Sequence, residues 1–252
     1  MDMSSRTRIM SDLRLYSHEY LRDKVAFVDA IASPLIMILL FGAFLSIPAF
    51  TGGASVSMST FAPGLLSIVT GIAPMQAMTA TSARYKKAKL FKQLSLTPIT
   101  KMEWLSSKAL WFLIITALSF VPSVATAVFV FGAHVSLTLW IMPFLALGTI
   151  FFTLLGTLVG TLAKSPETAN MVTYIILTPM LLLSGVILPV AFMPNYLQDI
   201  AHVLPQFYVV DGLKATMLNG DYAKATTDLA VVSVLVAIAF ALVARFSKWR
   251  ED

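Results

Sequence analysis

The chain of 252 residues has no cysteine, which excludes disulfides, thiolate metal sites and lipid attachment at sulfur. Charge is scarce too: Asp, Glu, Lys and Arg make up 12% of the residues, against about 25% in soluble domains. Whole stretches carry none, between Asp29 and Arg84, Lys108 and Lys164, Glu167 and Asp199, and Asp228 and Arg245. Proton- or sodium-coupled pumps need acids or bases at membrane depth, and selective cation pores use acidic rings or filter loops; neither is visible. Membrane transferases and proteases need acids, histidines or nucleophile pairs at the same depth, and these are missing as well. No Gly-Lys pair occurs, so the phosphate-binding loop pattern is missing and any ATP would have to be handled by another chain. His18, His134 and His202 fall in different segments, which argues against a metal cluster or a Ser/His/Asp triad.

What is present is apolar surface. Hydrophobic residues make up 58% of the chain and the mean hydropathy is +0.82, a surplus that needs lipid as its solvent. A crossing takes about 20 apolar residues. The first two uncharged stretches are each long enough for two crossings, with turns at Pro48 to Ser59 and Gly132 to Ser136, and the last two hold one each. The expected fold is an all-α membrane protein with six transmembrane helices near 26–47, 61–83, 109–131, 138–162, 170–190 and 228–245, forming a single transmembrane domain over 1–252. With both termini cytoplasmic, every Lys and Arg except Lys214 and Lys224 lies inside, as the positive-inside rule requires. The first apolar run lacks a signal-peptide cleavage pattern and reads as a retained span. The net charge of +5 borders spans rather than forming a soluble face, so the partner it implies is anionic lipid headgroups, not nucleic acid.

Ahead of the first span, Ile9, Leu13, Tyr16 and Tyr20 recur at three- and four-residue spacing among Arg14, His18, Arg22 and Lys24. This predicts an amphipathic elbow helix on the inner surface, within residues 1–25. The inner loop 84–108 is the most polar stretch, and from Arg84 to Leu94 it places Leu90, Phe91 and Leu94 on one helical face with Lys86, Lys87, Lys89 and Lys92 around the rest. The expected surface helix stops near Thr97-Pro98. Thr100 and Glu103 have capping-box spacing for the third span, with Trp104 and Trp111 as interfacial anchors. In span four, Gly148, Gly156 and Gly160 allow close approach of another helix, within or between subunits.

After span five the chain reads Ser184-Gly185, Pro189, Met193-Pro194, Tyr196, Leu204-Pro205, Tyr208 and Lys214. This run resembles the signature of type-2 ABC exporter permeases, the group of drug-, polysaccharide- and lipid-export permeases, and the likeness extends over nearly the whole chain. The resemblance implies a non-enzymatic subunit that moves an amphipathic, drug-like or lipid-linked substrate outward by alternating access. It also implies two ABC ATPase subunits that carry the ATP and Mg, a second permease copy, and no cofactor on this chain. It assigns ATPase coupling to Lys86, Leu90, Phe91, Lys92, Leu94, Thr97 and Pro98, on a helix whose lysines call for an acidic groove in the partner. It makes the segment 191–227 an outer re-entrant segment of short helices between spans five and six, with Gly185, Pro189, Pro194, Tyr196, Pro205 and Tyr208 as the outer gate. Candidates for the pathway are Met75, Gln76 and Thr79 of span two and Thr173, Tyr174 and Thr178 of span five. A passive channel and a membrane assembly scaffold, both without ATP coupling, are the alternatives.

Overall fold

The computed structural model describes residues 5–47, 57–94 and 96–246. Among them there are helices and turns but no strand. In chain order the helices are α1 (Ser5–Arg22), α2 (Lys24–Leu45), α3 (Met58–Lys87), α4 (Leu90–Leu94), α5 (Lys101–Ala125), α6 (Ile141–Leu162), α7 (Pro166–Leu183), α8 (Asn195–Ala201), α9 (Pro205–Lys214) and α10 (Tyr222–Phe246). A π-turn extends α5 over Thr126–Val130, and a second follows α9 over Ala215–Asn219. The turn expected at Pro48 to Ser59 lies outside the described residues as far as position 56.

Among the described residues, five helices are long and apolar enough to cross a membrane: α2, α3, α5 with its π-turn, α6 and α10. The expected fifth span, 170–190, needs correction. α7 has 18 residues, opens on Pro166, Glu167 and Asn170, and stops at Leu183. Gly185 then takes a φ of +79°, a left-handed conformation that glycine adopts without the Cβ clash other residues meet. Polar first turns and an early stop leave a helix of about 27 Å.

Capping follows local chemistry. The Asp23 side chain accepts from the Ala26 N–H at 3.1 Å, and Ser165 caps α7 ahead of Pro166. The Thr100–Glu103 capping box forms reciprocally: Glu103 accepts from the Thr100 N–H at 2.8 Å and Thr100 from the Glu103 N–H at 3.3 Å. Thr100→Ala is expected to cost about 1 kcal/mol, readable as a small drop in thermal unfolding temperature in detergent.

α3 is the central helix and packs most extensively on α6, with α2, α5, α7 and α9 also against it. The glycines of α6 explain the fit, and their partner lies within the chain. A β-carbon at Gly156 would stand 2.5 Å from the Met75 carbonyl oxygen, and one at Gly160 2.5 Å from that of Thr79. On the same helix the hydroxyls of Thr153, Thr157 and Thr161 donate to carbonyls one turn back, so these three polar groups are satisfied within α6.

Candidate functional site

At one end of the bundle, α3 runs on to Lys87 instead of giving way to a surface helix at Arg84. The break comes at Lys89, with a φ of +55°, and a five-residue α4 follows. Phe91 anchors it: the ring is buried, 5.6 Å from that of Trp104 and 5.9 Å from that of Tyr85. Leu90 and Leu94 are half-buried on the same side, while Lys89, Lys92, Thr97 and Pro98 are exposed. The Thr97 hydroxyl donates to the Leu94 carbonyl at 2.7 Å and closes the turn. Between this turn and α1 lies a groove of about 290 Å³ lined by Leu15, Leu94, Pro98 and Ile99 with Arg8 and Asp12 at its side.

Two expectations for this end change. Lys86 faces the end of α6, donating to the carbonyls of Thr161 at 2.8 Å and Ala163 at 3.1 Å, and so satisfies groups that every helix C-terminus leaves open. Trp104 and Trp111 are buried within the bundle rather than exposed: Trp111 joins a ring cluster with Tyr16 and Tyr20 of α1 and Phe112, while Trp104 packs on Phe91 and Tyr85 with the Lys108 ammonium 5.3 Å from its ring centre. Leu96 was missed by sequence reasoning. It is 86% exposed, and its only signal is an apolar residue out of phase with the Leu90–Leu94 face.

Beneath the groove lies an ion pair that charge counting also missed. Lys108, read from the sequence as a border charge, is fully buried and 2.8 Å from Asp12 of α1. The Ser107 hydroxyl donates to the same carboxylate, and the ammonium sits 4.2 Å from the centre of the Tyr16 ring. Arg8 pairs with Glu103 at 2.8 Å. α1 is therefore fastened to α5 by two ion pairs and an aromatic cluster. Burial holds the phenols of Tyr16 and Tyr20 well above the usual tyrosine range, so both keep their protons.

The pathway candidates divide. Met75 and Thr79 are buried against α6, with the Thr79 hydroxyl donating to the Gly156 carbonyl at 3.3 Å. Thr173 donates to Thr79 at 3.0 Å and ties α7 to α3. Gln76, Thr173 and Tyr174 line an open cleft of about 310 Å³ along α3, between α2 and α7. Tyr174 and Thr178 are exposed on α7.

At the opposite end of α3, the chain from Ser184 to Asn219 folds over the helix as a 3₁₀ turn, α8 and α9. Gly64 admits it, since a β-carbon there would stand 2.6 Å from the Val186 carbonyl oxygen. Gln206 is buried and donates to Ser67 Oγ of α3 at 2.8 Å. Gly185 and Pro189 are buried, Pro205 opens α9, and the Tyr208 hydroxyl donates to the His202 carbonyl at 2.8 Å. Pro194 and Tyr196 are exposed, and with Phe192, Ile200 and Val203 they leave an apolar ridge uncovered. Lys214 tucks its ammonium beside Gly185; burial lowers its pKa from the usual lysine value and Asp211 partly offsets this.

Residues 13–218 match the family described as ABC-2 type transporter. The chain is similar to Nodulation protein J of Neorhizobium galegae, 28% identical over 218 residues, which cover 83% of this chain and 80% of that protein. A second Nodulation protein J, from Rhizobium leguminosarum bv. viciae, is 27% identical over 61% of this chain and 58% of its own length. The inner membrane transport permease YadH of Escherichia coli (strain K12) is 28% identical over 49% of each chain.

Proposed function

Since this chain belongs to the ABC-2 type transporter family, we propose that it is the membrane-spanning subunit of an ATP-driven exporter, working as two copies with two ATPase subunits that bind the ATP and Mg. In this reading α7 is also a crossing, the fifth of six in chain order, both termini are cytoplasmic, and the protein sits in the cell membrane. The end bearing α1 and α4 faces the ATPase. The folded segment at the other end closes the exit, its ridge at Phe192 and Tyr196 covered by the second copy or by lipid.

The observation that carries the proposal is the build of the turn after α3. Phe91 pins α4 into the ring cluster, while Leu96, Thr97 and Pro98 project from it. A stroke delivered to the projecting residues would reach α3 and α5 through that anchor, and α1 through Asp12 and Lys108. Exposed lysines at positions 89 and 92 suit an acidic groove on the ATPase.

Co-expression with a candidate ABC ATPase tests this. Leu96→Asp places a charge on the docking face, and since Leu96 is 86% exposed its effect on stability is expected to stay within about 0.5 kcal/mol. The native chain is expected to co-purify with the ATPase and the variant to lose the complex at least tenfold while keeping its unfolding temperature. Binding by the variant at the native level would move the docking role elsewhere. Ion conductance by the native chain without ATP would favour a passive channel.

A further inference from the structure

The cleft along α3 has a chemistry of its own. A second cavity of about 260 Å³ shares Tyr20, Asp23, Ala26, Ala77, Ala80 and Asn170 with the first, so the two form one continuous cleft. Its floor is open because α3 presents Ala73, Ala77 and Ala80 there, at spacings that stack along one face. The cleft reaches from Arg84, in the last turn of α3, up to Ala73 and Gln76 near the middle of that helix.

Three carboxylates line it, Glu19, Asp23 and Asp29, against one cation, Arg84. Asp23 also caps α2, and Glu19 accepts from the Tyr85 hydroxyl at 3.1 Å. Asp29 is different. It is the only charged side chain in α2 beyond its first residue, Lys24, it is exposed on the cleft wall, and it has no hydrogen bond or ion pair among the described residues. The amides of Gln76, half-buried midway along α3, and of Asn170, exposed in the opening turns of α7, are likewise unpartnered among the described residues. Polar groups left open along a membrane-crossing helix, as the Gln76 amide is midway along α3, are costly against lipid. They are stable where a polar ligand or water-filled cavity meets them.

Resting on the exporter reading above, we infer that this cleft binds amphiphiles with a cationic, ammonium-type head. The head is held at Asp29 and Asp23, beside Tyr20 and Tyr174 of the same lining, and the apolar body lies along the alanine floor of α3. An anionic head would meet three carboxylates against the single cation Arg84 and is rejected.

The test uses the chain reconstituted with its ATPase and two probes of the same shape and opposite charge, tetraphenylphosphonium and tetraphenylborate. ATP hydrolysis is followed against probe concentration, each variant relative to its own rate without probe. The cation is expected to stimulate and the anion not to. In Asp29→Asn, which keeps the shape of the side chain, the half-maximal concentration of the cation should rise about tenfold, and Asp29→Lys should remove the preference for the cation. Equal stimulation by both probes, or an unchanged cation response in Asp29→Asn, overturns the inference and leaves the exporter reading standing. Failure of the chain to associate with any ATPase would strike the exporter reading instead; equilibrium dialysis of the cation with the purified chain and its Asp29→Asn variant then decides the cleft independently, by whether the same tenfold loss is found.

Discussion

Gly156→Val is expected to abolish accumulation of the folded protein. A β-carbon at this position stands 2.5 Å from the Met75 carbonyl oxygen and 3.1 Å from Met75 Cα, so the obstruction is backbone and cannot rotate away. α3 and α6 would have to separate, and their contact is the most extensive in the bundle. Overpacking of this kind costs typically 1–3 kcal/mol where side chains can yield, and against backbone the cost should reach about 3 kcal/mol or more. Yield and melting temperature in detergent give the readout. Gly71→Ala is the control: the atoms nearest its β-carbon would be those of the Phe152 ring, at 3.5 Å, an ordinary contact, and the bundle should hold. A Gly156→Val protein that melts like the native one would mean that α6 and α3 do not pack as described.

The second large effect is expected at Asp12. Asp12→Ala leaves the Lys108 ammonium buried with no counter-charge, since its side chain is 1% exposed and Asp12 is its partner at 2.8 Å. Removing one member of a buried pair costs about 3–5 kcal/mol, whereas replacing both with apolar groups of similar volume is often neutral. Asp12→Leu with Lys108→Met should therefore recover most of the melting temperature lost in Asp12→Ala. ATP hydrolysis by the complex separates a fastening role from a transmitting one. If the double variant is stable but its hydrolysis no longer responds to cargo, the pair carries motion from α1 to α5; if response returns with stability, it only holds α1 in place. Asp12→Ala at native stability would contradict the burial of Lys108.

Much of the architecture was legible because it depends on what each short segment prefers as solvent. The uncharged stretches marked five helices that can cross a membrane, Thr100 and Glu103 marked the start of α5, and the run through the residue before Pro98 marked where α4 could not continue. The candidate site was only partly legible. Lys86 and Lys92 look alike in sequence, yet Lys86 caps α6 while Lys92 is exposed. The same holds for Thr173 and Thr178, one bonded into the α3 contact and the other on the open face of α7. Helical periodicity tells which residues share a face, but not which neighbour that face meets.

Taken by itself, the sequence determined that this protein is helical and suited to lipid, and that α6 must pack closely on something. These follow from composition and local spacing, where the relevant energy is that of a segment with its solvent. Only the tertiary structure decided that the partner of the α6 glycines is α3, that Lys108 is buried on Asp12, that Trp104 and Trp111 are buried within the bundle, and that a cleft with an unpaired Asp29 runs beside α3. Each of these joins residues far apart in the chain. Their energies come from steric fit and charge pairing at a few ångströms, which no local pattern records.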